Sequence, residues 1–194
     1  MNYTGACAVA VGLFFASAGF PAAARAAVEA SAATPAVWIA HNTIVDLENL
    51  PERYSCDDLW YKFRDVLLGL GARRDLKITF DRCGRSPSVH LQFSLPRTVR
   101  GSDIKYASLE AINGTLLLKA GRPATLQASD CELVRQIKDT LLNELPVRVR
   151  SYRFTCDAPH RDAARYRLSV QTLRPVSAST VAADMSGPRA PSGG

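Results

Sequence analysis

Histidines and cysteines are the side chains in this sequence whose types could do chemistry. His41, His90 and His160 lie in three separate segments, none with a cysteine or carboxylate at metal-ligand spacing. Asp157-x-x-His160-x-Asp162 is the nearest thing to a motif, in a polar stretch between two strand-like segments. A hydrolytic or metal site there would need a third ligand or a nucleophile, and the sequence offers neither. There is no Gly-x-Ser-x-Gly elbow, no His-Glu-x-x-His pair and no phosphate-cradling glycine loop. Gly69-Leu70-Gly71 closes a helical pattern instead of opening one, the wrong context for dinucleotides. No catalytic residue, metal or cofactor is therefore expected. A small secreted hydrolase or hydrolase inhibitor using the 157–165 loop is the alternative.

The cysteines point elsewhere. Residues 6–24 carry no charge, Val9–Phe20 is apolar, and Pro21 precedes the small-x-small trio Ala24-Arg25-Ala26. That is the pattern of a secretory signal peptide ending at residue 26. Met1–Gly5 contains no Lys or Arg, and a retained membrane anchor is the rival interpretation. Cleavage would leave Cys56, Cys83, Cys131 and Cys156, an even set that in an exported chain implies two disulfides. A periplasmic or secreted location follows.

Two helices must position those cysteines. Leu59, Phe63, Val66, Leu67 and Leu70 share one helical face, with Ser55 and Asp58 as its capping box. Leu133, Val134, Ile137, Leu141 and Leu145 share another, with Ser129 and Glu132 at its start and Pro146 at its end. Alternating strands follow each helix: 76–81 and 89–95 after the first, 147–156 and 164–173 after the second. Residues 37–47 read as a further strand. Asn113-Gly114, flanked by apolar residues, reads as a type I′ hairpin turn.

An offset of 74 residues superposes Ser55 on Ser129, Leu59 on Leu133, Leu67 on Leu141 and Phe80 on Phe154. The expected fold is α+β: two degenerate strand-helix-strand-strand repeats, about 37–100 and 104–173, with helices on antiparallel sheet. They form a single domain, 37–173. Residues 27–36 read as a flexible leader, and 174–194, rich in Ser, Ala, Pro and Gly, as a disordered tail.

The repeat also selects a disulfide connectivity. A helix of about 15 residues rises roughly 22 Å, and a returning strand of about eight covers roughly 26 Å. A strand running back along its helix ends near the helix start. Cys56 should therefore meet Cys83, and Cys131 should meet Cys156. Each bridge closes a loop of about 25 residues, worth on the order of 3 kcal/mol.

Charge supplies the remaining functional signal. The chain carries 24 Lys+Arg against 18 Asp+Glu. Nineteen of the basic residues are arginine, and they gather at Arg73, Arg74, Arg82 and Arg85 and again at Arg148, Arg150, Arg153, Arg161, Arg165 and Arg167. Arg148 with Arg150, and Arg165 with Arg167, would each share a strand face, and pairing of those strands would join them into a basic stripe. Tyr61 points away from the apolar face of the first helix and is a candidate aromatic anchor. These residues suit an exported, non-catalytic binding or assembly module whose partner is an envelope protein or anionic envelope polymer. No nucleic-acid motif is present, so nucleic acid is not an expected partner. Membrane contact is expected only if the N-terminal segment stays as an anchor.

Overall fold

The computed structural model describes residues 32–50, 54–156 and 165–176, except for the side chains of residues 102 and 103. The signal segment, residues 27–31 of the leader, the Asp157–Asp162 motif and residues 177–194 lie outside them. The elements run β1 (Thr34–Asp46), α1 (Cys56–Gly69), β2 (Lys77–Arg82), β3 (Ser88–Thr98), β4 (Leu109–Leu118), α2 (Cys131–Ile137), β5 (Arg148–Thr155) and β6 (Arg165–Pro175). Together they make an α+β fold.

The first helix forms as its spacing dictates. Ser55 is extended, and its hydroxyl accepts the Asp58 amide at 3.1 Å, satisfying one of the free donors of the first turn. Leu59, Phe63, Val66, Leu67 and Leu70 are all fully buried. The second helix departs from expectation at both ends. Gln127 and Asp130 form its reciprocal cap, not Ser129 and Glu132, and it enters through a 3-10 turn at Ala128–Asp130. The reason is tertiary: Asp130 is held in the core by Lys62, which leaves its carboxylate aimed at the Gln127 amide, 2.6 Å away. Glu132 pairs with Arg135 instead. Beyond Ile137 the helix widens into a π-type turn, Lys138–Leu142, which keeps Leu141 and Leu142 buried.

All strand pairs are antiparallel, and the sheet order is β2-β3-β1-β4-β6-β5. Exchanging the first three strands for the last three reverses that order onto itself, as two strand-helix-strand-strand units require. The two half-sheets pair only where Thr34–Ala36 of β1 meets Leu109–Ala111 of β4. One apolar core nevertheless serves both halves, and Leu59, Leu91, Leu133 and Leu168 all belong to it. Cys56 bonds to Cys83 and Cys131 to Cys156, with Cα–Cα distances of 5.5 and 5.4 Å, as the returning-strand geometry predicts.

Three boundaries differ from the sequence expectation. Asn113-Gly114 is no turn. Neither residue has positive φ, and both lie inside β4, paired with Leu173 and Thr172. The glycine serves a close approach instead, since a Cβ there would sit 2.9 Å from Cδ of Arg174. The leader is shorter than read, because β1 already begins at Thr34 and Ala36 is fully buried at the junction of the halves. Likewise, the tail cannot begin at 174. Arg174 and Pro175 continue β6, and the Val176 amide donates to Glu110 O at 2.9 Å.

Gly71 ends α1 with φ +95°, and an added Cβ would come within 2.3 Å of the Leu173 carbonyl. Both the left-handed backbone and the rigid neighbour oppose any side chain. Gly71→Ala should therefore cost roughly 2–4 kcal/mol in a urea melt. A loss below about 0.5 kcal/mol would mean that the α1–β6 contact yields easily.

Candidate functional site

The strands β5 and β6 position the predicted arginines. On β6, Tyr166, Leu168 and Val170 are buried while Arg165 and Arg167 are exposed, so the two arginines face away from the helices. Strand register then decides which β5 residues join them. Arg153 lies directly opposite Arg167, Thr155 opposite Arg165, and Arg148 opposite Gln171. A bulge between Val149 and Ser151 breaks the simple alternation. Arg148 and Arg153 therefore share the outward face, while Arg150 is the extra residue of the bulge. Arg150, expected to share a face with Arg148, has no residue opposite it, and Arg153 is the β5 arginine that faces β6 directly.

Cross-strand neighbours of like charge repel, typically by a few tenths to 1 kcal/mol. Arg153 and Arg167 have no compensating carboxylate among the described residues, and neither do Arg148, Arg150 or Arg165. The ion pairs of the described chain all lie elsewhere, as in Arg73–Asp75 and Arg135–Glu132. The face thus presents four uncompensated guanidiniums in register, Arg148, Arg153, Arg165 and Arg167, with Arg150 exposed at the bulge beside them. Each is a planar fork of donors suited to carboxylate or phosphate oxygens.

Tyr61 is exposed, 54%, with its ring edge-on to Trp60 at 5.1 Å. It belongs to the helix layer and does not join the arginine face. A second tyrosine, Tyr152 on β5, is 63% exposed but lies opposite the buried Leu168. It is therefore on the helix side of the sheet, with the Lys138 ammonium 4.7 Å from its ring centre, and does not join the arginine face either. The residue that sequence reasoning left out of the stripe is Arg153, which only the β5–β6 register places there.

The histidines stay apart. Asp81 Oδ2 accepts from His90 Nε2 at 2.6 Å on the exposed face of β3. His41 stacks on Phe93 at 5.3 Å, and burial holds its pKa below the ordinary imidazole value. His160 belongs to the undescribed loop. Among the described residues, no three His, Cys, Asp or Glu side chains converge at metal-binding distance, and no helix is long and apolar enough to cross a membrane.

The most buried polar group lies in the core and not in a cleft. Lys62, 2% exposed, donates to Asp130 Oδ2 and to the Thr125 carbonyl, both at 2.8 Å. Asp130 Oδ1 accepts the Tyr54 hydroxyl at 2.9 Å. Nearby, burial and then the Asp130 charge raise the Tyr166 phenol well above its usual range, and its hydroxyl donates to the Gln127 carbonyl. Every strong donor and acceptor here is satisfied by the protein itself, which is the condition of a structural network.

No family model, curated protein or solved structure matches this chain. Its chemistry is therefore read from its own surface.

Proposed function

We propose that this protein is an exported, non-catalytic binding or assembly module of the cell envelope or extracellular space. It engages an envelope protein or anionic envelope polymer through the arginine face of β5 and β6. Two disulfides suit an oxidising compartment, consistent with export. The observation that carries the proposal is Arg153 opposite Arg167, a repulsive pair with no acidic partner among the described residues.

Edge protection explains part of the pattern, since β5 is an outer strand and basic residues there discourage strand-to-strand aggregation. It does not require Arg167 on β6, which lies directly opposite Arg153 and adds cross-strand repulsion between like charges. An anionic partner would convert the repulsion between the two strands into attraction.

Binding to immobilised polyglutamate and polyphosphate across a salt series tests this. Retention should fall steeply as ionic strength rises, because exposed guanidiniums act through screened charge. Arg153→Glu with Arg167→Glu should weaken retention by about tenfold or more at low salt. Arg82→Glu with Arg97→Glu, which changes net charge equally on β2 and β3, should weaken it far less. Equal loss in the two variants would reduce the effect to net charge and sink the assigned face.

A further inference from the structure

A second basic site lies where α1 ends. An open pocket of about 670 Å3 is lined by Trp38, Leu68, Ala72, Arg73, Arg74 and Arg174, with Asp75 at its margin. Its volume falls within the range of small-molecule sites. The lining residues come from β1, the end of α1, the α1–β2 connection and β6, so the fold alone assembles them.

Three guanidiniums there face one carboxylate. Arg73 pairs with Asp75 at 3.0 Å and lies over the Trp38 ring, 5.7 Å from its centre. Arg174 donates through one terminal nitrogen to the carbonyls of Gly69 and Thr115, each at 3.2 Å. Its Nε is buried with no hydrogen-bond partner among the described residues. Arg74 is exposed and forms no ion pair among them. A helix C-terminus ordinarily repels anions. Here its carbonyls are already engaged: Gly69 O by Arg174, Leu70 O by the Thr172 hydroxyl, Leu67 O by the Ala72 amide.

We propose that this pocket binds a small organic carboxylate carried on a flat apolar body. The carboxylate meets the Arg74 fork, and the apolar body packs on Trp38, Leu68 and Ala72. Arg73 is the positioning residue, since its stacking and its bond to Asp75 fix the indole wall. The site shares no residue with the β5–β6 arginine face, and its ligand is a small molecule and not a polymer.

Trp38 itself can report binding. In the full chain carrying Trp60→Phe, Trp38 is the sole tryptophan. Titration with 3-phenylpropanoate should change its emission saturably. The neutral amide of the same acid, and acetate, should each bind about tenfold more weakly or worse, because each lacks one half of the recognised chemistry. Arg74→Gln, a change at an exposed and unpaired side chain, should weaken the acid by about tenfold with no change in melting temperature. A calorimetric titration of Trp38→Leu should lose most of the binding heat. Arg153→Glu with Arg167→Glu should titrate like the parent, which separates this site from the arginine face. The proposal is overturned if no saturable change appears, if acid and amide are indistinguishable, or if Arg74→Gln or Trp38→Leu binds as the parent does.

Discussion

Lys62→Met is expected to destabilise the protein by about 3–5 kcal/mol. The substitution removes a buried cation and leaves Asp130, 1% exposed, as an uncompensated carboxylate in the shared core. Methionine nearly matches the lysine stem in length, so lost packing contributes little and the charge imbalance dominates. The Thr125 carbonyl also loses its 2.8 Å donor. Asp130→Asn added to Lys62→Met should recover part of the loss, since an amide removes the unpaired charge and still accepts the Tyr54 hydroxyl. Urea melts of the single and double variants read this directly. A single variant that loses under about 1 kcal/mol would mean that water reaches the pair.

Reduction of both disulfides should have a still larger effect. The bridges close sequence separations of 27 and 25 residues, each worth about 3 kcal/mol in the chain-entropy model. Their sum, about 6 kcal/mol, approaches the whole stability of an ordinary domain of this size. Thermal melts with and without reductant should differ by tens of degrees, or the reduced chain should show no cooperative transition. Cys131→Ser with Cys156→Ser should cost about half as much, because the other bridge still ties α1 to the end of β2. Coincident melts in the two redox states would mean that the packed core alone carries the fold.

Both effects act on one design: two half-sheets joined by three residue pairs at β1 and β4. Backbone pairing alone gives that junction little strength. The shared core and the Lys62–Asp130 pair, which links α1 to the start of α2, hold the halves together. Each disulfide instead secures a helix to its own following strand. Losing the ion pair should therefore loosen the halves from each other, and losing a bridge should loosen one half within itself.

Much of this was legible in the residues. Helical spacing marked Leu59, Phe63 and Val66, and later Leu133, Val134 and Ile137, as inward, and all six are fully buried. Strand alternation did the same for Val89, Leu91, Leu168 and Val170. Cysteine positions at each helix start and strand end, combined with fixed rises per residue, gave the connectivity. Local signals failed where a distant partner overruled them. Asn113-Gly114 has turn chemistry, yet Arg174 crosses the glycine and needs its missing side chain. Ser129 and Glu132 have the spacing of a cap, yet Lys62, far away in the chain, fixes Asp130 in that role.

The sequence by itself determined the two amphipathic helices, the alternating strands, the repeat and the disulfide pairs, because each depends on periodicity or reach along a short stretch of chain. Only the tertiary structure decided that Arg153 faces Arg167, that Arg150 falls at a bulge with no residue opposite it, and that Trp38, Arg73, Arg74 and Arg174 line one pocket. Register, a single bulged residue and the meeting of two half-sheets set those neighbours, and none of the three leaves a periodic trace in the residues it brings together.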